Sequence, residues 1–334
     1  MKNLRFLMHY RIYLWIAALI FAASSSITRR ITLLGEQHLV NGRNPISLCN
    51  VLFVGNLCAL ILMACLFSRQ WNRHTFSQLT RQDWIQLGTV GLLSGALAPA
   101  LIFAALDNTS VTNVVLFSRL EPPISLVIGV LFFRSKVQRW TGLSAIVGFA
   151  GIVVIAVLSY TMAFQFDLGI LFVTVAAIIL AIASNISKNS LQNISISVFN
   201  LVRTFLGMLI FFVIAQTLYG SQHFIDAFSP FLWQWMLLYS AVIVVGGQLA
   251  WFKGLKDASA AEITLAHLLE PIAAIAMAFL ILGETPTTAQ FVGGSIVLIS
   301  ICISLWDLLQ QNRKHDRPIN WIDEMMGIAN FRGF

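Results

Sequence analysis

Ten apolar stretches, each close to the roughly 20 residues needed to cross a bilayer, follow one another between residues 12 and 306. They cover 12–28, 46–67, 84–106, 110–133, 140–158, 168–187, 196–218, 231–254, 259–282 and 290–306. In lipid, unsatisfied backbone groups are too costly for anything but helices and closed barrels, and runs of this length fit helices. The expected fold is therefore an all-α membrane protein with ten transmembrane helices. Only 10% of the residues are charged, against about 25% in a soluble domain. The excess of positive charge, formally +7, lies in short clusters between apolar runs, which argues against nucleic acid as a partner and for the lipid bilayer. All four cysteines lie inside apolar runs without metal or disulfide spacing.

The first residues, "MKNLRFLMHYRIYLWIAALIFAASSS", have the basic and apolar regions of a signal peptide. The repeat described below needs this segment as a span, so retention is expected. Lys and Arg in short loops set the orientation. A cytoplasmic N-terminus puts Arg69, Arg73 and Arg81, then Arg134, Lys136 and Arg139, then Lys188, Lys253 and Lys256 inside. The outside receives Arg29, Arg30 and Arg43 from one loop. Both termini, with a tail over 307–334, are expected in the cytoplasm of a plasma membrane of the bacterial inner-membrane type. The tail either rests on the interface through Trp321, Ile322, Met325 and Met326 or is disordered.

Sliding the chain on itself by 149 residues places Trp84 on Trp233, Phe103 on Phe252, Ser110 on Ser259, Glu121 on Glu270 and Pro122 on Pro271. The openings "ISLCN" (46–50) and "ISVFN" (196–200) match at a shift of 150. The chain therefore divides into two five-helix units, 12–158 and 168–306. An odd number of spans inverts the second unit in the membrane, an arrangement common in secondary transporters. The loops agree: "RSKVQR" (134–139) follows the fourth span and "GETPTTAQ" (283–290) the ninth, basic against not basic.

The run "LLEPIAAIAMAFLILGETPTTAQFVGGSIVLISI" (268–301) and its first-half counterpart "RLEPPISLVIGVLFFRSKVQRWTGLSAIVGFAGIVVI" (119–155) carry a family resemblance. The chain resembles the EamA-type transporters of the drug/metabolite transporter superfamily, over nearly its whole length and in two copies. The first copy departs from the family pattern, with Arg134 and Ser135 where Gly-Glu is expected. The resemblance implies a ten-helix bundle whose central cavity is lined by spans one to four and six to nine. It also implies movement of small metabolites, often amino acids or related compounds, commonly outward.

Glu121 and Glu270 fall about halfway along their spans, where a charge costs about 2.5–3.5 kcal/mol on insertion scales and normally faces a bundle interior or wet cavity with a partner. Pro122 and Pro271 remove the backbone donors for the carbonyls of Ser118 and His267. Each Glu-Pro is thus a hinge or structural tie, or a carboxylate beside a free carbonyl at a solute site; the hinge reading is preferred. Arg119 and Glu121 lie about 200° apart on a regular helix, so they share a face only if the double proline distorts it. Arg203, one turn from Asn200, has Phe53 as its counterpart and either clamps a solute carboxylate or pairs with Glu270 or Glu121. His267 shares a helical face with Glu270, which opens the way to proton coupling. Asn50, Asn113, Ser184 and Asn185 are milder cavity candidates. Arg29 and Arg30 guard a cavity mouth or cap the first span. "GLLSG" (91–95) has the small-residue spacing of close helix packing.

The expected function is secondary transport by alternating access of a small-molecule solute such as an amino acid or organic anion, with export favoured. No cofactor or metal is expected, and a monomer suffices. The absence of a Gly-rich Lys-Ser/Thr loop excludes an ATP-driven pump, and no His-Glu-x-x-His or Gly-x-Ser-x-Gly points to an enzyme. A membrane scaffold or sensor is the other alternative, and it needs neither an inverted repeat nor buried charges.

Overall fold

The computed structural model describes residues 2–67, 76–77, 79–133, 139–163, 167–190, 194, 196–219, 227–255 and 260–314, and they are almost wholly helical. Six helices among them are long and apolar enough to cross a membrane: Ile12–Gly35, Leu48–Leu66, Arg81–Asn108, Val111–Phe132, Leu168–Ser187 and Pro230–Trp251. Shorter apolar helices at Gly142–Leu158, Val198–Ile214, Leu269–Leu282 and Thr288–Ile303 fall on the other four expected spans.

In chain order the first elements are α1 (Lys2–Gly35), α2 (Leu48–Phe67), α3 (Arg81–Leu92), a π-helical turn at Leu93–Leu97, and α4 (Ala98–Asn108). Next come α5 (Val111–Phe117), a 3-10 turn at Ser118–Leu120, α6 (Glu121–Phe133), α7 (Arg139–Ala163) and α8 (Leu168–Ser190). The rest are α9 (Ile196–Tyr219), α10 (Pro230–Tyr239), a second π turn at Ser240–Gly246, α11 (Gly247–Leu255), α12 (Ala260–Leu282) and α13 (Thr288–Lys314).

Three departures from the expected spans have local causes. The first helix does not stop at Thr28 but runs to Gly35, about two turns further. It is followed by Asn41 and Gly42, both at positive φ, which turn the chain back. The fourth span is broken by the 3-10 turn at Ser118–Leu120. Pro122 and Pro123 supply no N–H to the carbonyls of Ser118 and Arg119, and the turn tightens so that Glu121 N–H bonds Ser118 O. The Ser118 carbonyl, expected free, is therefore occupied. With a single proline, α12 carries Pro271 inside an unbroken helix.

The third departure is the pair of π turns. In the third span, Ala98 N–H reaches back to Leu93 O, and Pro99 lacks the N–H that a regular helix would aim at Gly95 O. The second π turn, Ser240–Gly246, contains no proline. Shifted by 149, the first turn falls on 242–246, inside the second.

The chain forms two compact units, each assembled from both halves of the sequence. One comprises the described residues of Met1–Ile27, Ala105–Ala181 and Gly247–Asn320. Within it α7 lies against α13 through facing small residues. A Cβ on Gly151 would sit 2.9 Å from Gly293 O, and one on Gly148 2.8 Å from Ser300 Oγ. Such stripes let membrane helices approach closely, replacing side-chain volume with backbone contact. The start of the chain packs on α11 in the same way, Gly254 against the Leu14 backbone and Gly247 against the Phe21 ring.

The other unit comprises the described residues of Thr28–Ala104 and Ile182–Gly246. Here α2 and α9 cross, with Leu52, Ala96 and Phe211 buried together and the Phe53 and Phe212 rings 5.5 Å apart. A second cluster joins Leu87 and Val90 to Ala183, Val198 and Phe199. The "GLLSG" stripe of the third span faces α9: a Cβ on Gly95 would meet Arg203 O at 2.5 Å, and one on Gly91 would meet Leu206 Cδ1 at 2.7 Å.

Candidate functional site

In the first unit, the 3-10 turn sets the position of Arg119. Its guanidinium Nη2 lies 3.8 Å from Glu270 Oε1, so the ion pair joins the fourth span to α12. That separation exceeds hydrogen-bond length, so the two charges attract through space without a closed N–H···O contact. The Arg119 side chain is 26% exposed and that of Glu270 8%. Arg119 Nε is buried and has no hydrogen-bond partner. Glu121, half-buried two residues on, also acts electrostatically on Arg119. One guanidinium therefore sits in the field of two carboxylates, one from each half of the chain. Pro122 is exposed and Pro271 buried. The side chain of His267 lies outside the described residues.

The same unit holds a polar network at the start of the fourth span that the sequence did not disclose. The Glu284 carboxylate accepts from Val111 N–H at 3.1 Å and Thr112 N–H at 3.3 Å. It thereby satisfies donors that the first turn of α5 cannot satisfy internally. Ser110 accepts from Asn113 N–H, and Gln290 Nε2 donates to Asn113 Oδ1 at 2.7 Å. Asn113 Nδ2 donates to Thr109 Oγ1, whose own hydroxyl donates to Asp167. Asp167 in turn accepts from Gly169 and Ile170 N–H at the head of α8. Asn113, a cavity candidate by sequence, is thus a link between the starts of α5 and α13. The sequence signal for Glu284 was the Gly-Glu pair at 283–284, but its acceptor role depends on residues 172 and 173 positions away.

The second unit holds the other polar candidates. Arg203 is 1% exposed, one of the largest fully buried side chains, and its stem runs beside Gly95. Asn200 and Thr204 are buried on the same helix, as are Ser184, Asn185 and Ser187 on α8. Asn50 is fully buried; its amide donates to Pro45 O at 3.1 Å and its Oδ1 has no hydrogen-bond partner. Asn56 is in the same state, with Nδ2 donating to Leu52 O and Oδ1 unmatched. Arg29 is half-buried and Arg30 exposed, both within α1 and not at its end. Sequence reasoning passed over Asn56 and Ser240, whose hydroxyl donates to Gly55 O at 2.9 Å. No group of three or more His, Cys, Asp or Glu able to hold a metal occurs among the described residues.

The model of the EamA-like transporter family matches residues 11–157 and 167–306. An uncharacterized transporter of Synechocystis sp. is 45% identical over 97% of this chain and 95% of its own. A riboflavin transporter of Fusobacterium nucleatum is 24% identical over 75% of this chain and 86% of its own. A solved crystal structure with 15% identity matches at a TM-score of 0.50 over 91% of this chain and 99% of that one, a likeness of fold alone.

Proposed function

Because the chain belongs to the EamA-like transporter family, we propose that it is a secondary carrier that moves a small metabolite, such as an amino acid or organic anion, outward across a plasma membrane by alternating access. Ten spans in two inverted five-helix repeats, both termini in the cytoplasm, and action as a monomer complete the reading. The observation that carries it is the ion pair between Arg119 and Glu270. A charged pair drawn from two halves of an apolar chain is costly to keep, and intramembrane ionisable residues characteristically mark solute and ion pathways. Proton coupling is open to Glu121, Glu270 and His267.

The test is flux in liposomes holding the purified full chain, with a panel of amino acids, organic anions and riboflavin, with and without a pH gradient. Riboflavin is included because the Fusobacterium relative is a riboflavin transporter. Movement of at least one solute above empty liposomes is expected. If nothing in a broad panel moves, the carrier reading is wrong.

A further inference from the structure

We propose that Arg119 is the anion-recognition group of the solute site, and that Glu270 is an internal stand-in that occupies it when no solute is bound. The inference rests on the transport reading above and gives it a substrate class: solutes bearing a carboxylate. Three observations carry it. The pair is 3.8 Å apart, so neither partner has closed a hydrogen bond on the other. Arg119 Nε is buried without an acceptor, which leaves one N–H of the guanidinium fork unspent. About a quarter of the arginine side chain is open, while Glu270 is nearly enclosed.

A guanidinium presents five donors in a planar fork that matches a carboxylate with two parallel bonds. Glu270, 3.8 Å away, supplies the charge of such a ligand without its hydrogen-bond geometry. A solute carboxylate arriving on the open side can reach hydrogen-bond length and displace the glutamate's electrostatic hold. The double proline contributes by setting the 3-10 turn from which Arg119 projects. The twin position in the second half is Leu268, so recognition comes from one half only.

The experiment reconstitutes the full chain in liposomes and compares matched acid and amide probes: glutamate with glutamine, succinate with succinamide, benzoate with benzamide. At least one acid should move about tenfold or more faster than its amide, because a site built to bond one group rejects the analogue lacking it. Arg119→Gln alone removes the cation facing a buried carboxylate and invites misfolding, so the double variant Arg119→Gln/Glu270→Gln, which removes both charges, is measured beside it. That variant should bring the acid-to-amide ratio to about one. Glu270→Gln alone should lower the KM for the acid about tenfold relative to that for the amide, since the internal competitor is gone. A purely structural pair would lower acid and amide transport alike. Equal movement of acid and amide by the unaltered chain, or a ratio that survives in the double variant, overturns the inference and leaves the carrier reading standing. Transport of other solutes but none of these six does the same, whereas no movement of any solute overturns both.

Discussion

At the scale of single residues, the molecule uses glycine and carboxylate for different ends. Gly95 is fixed by lack of space, since a Cβ there would press on the backbone carbonyl of Arg203, which has no rotamer with which to yield. Gly95→Val should destabilise the chain on the order of 3 kcal/mol, read as a lower melting temperature in detergent. An unchanged melt would mean that α9 moves aside freely. Glu284 is fixed by charge and hydrogen bonding. Removing its carboxylate in Glu284→Ala leaves Val111 and Thr112 N–H without their acceptor, a loss of about 1 kcal/mol on the scale of helix N-caps. Glu284→Gln, which keeps an acceptor oxygen, should recover part of that loss. The packing role of Gly91 and Gly95 was legible because the spacing of two glycines is local. The capping role of Glu284 was not, because its partners lie at the start of a different span.

At the scale of elements, two sequences that look alike behave differently. Glu-Pro-Pro in the fourth span begins a helix, so Pro122 and Pro123 sit in the first turn of α6, where their missing donors cost little. Glu-Pro in the ninth span lies in mid-helix, and Pro271 interrupts a ladder that continues on both sides. Pro271→Ala should therefore stabilise the protein by up to about 3 kcal/mol, and Pro122→Ala should change it by less than about 1 kcal/mol. Thermal melts of the two variants side by side check this, and equal effects would mean that the copies share one kind of kink. Sequence reasoning saw the double proline as the source of a distortion and Arg119 and Glu121 as pointing to different faces without it, because both follow from helix geometry. It placed neither π turn. Pro99 was a visible cue for the first, while Ser240–Gly246 holds no residue that demands a wider turn.

At the scale of the whole molecule, the apolar runs, being a matter of length and composition, made an all-helical membrane chain readable at once. The pairing of Arg119 with Glu270 was not readable, since several acidic partners were equally compatible with the spacing. The opposed orientation of the two halves is the claim best tested here. In a background lacking the four natural cysteines, Ser135→Cys should react with a membrane-impermeant maleimide only from the cytoplasmic side, and Thr285→Cys only from outside. Labelling of both from one side would exclude the inverted arrangement.

The two π turns bear on the history of the chain. A π turn holds one residue more than the α-helical turn it replaces, and such a surplus arises from a single-residue insertion. Acquired after two halves had parted, it would mark one of them only. The turn at Ser240–Gly246 is two residues longer than that at Leu93–Leu97 and ends 149 positions after it, so if the two halves descend from one unit, a wide turn shared at that place is older than the doubling.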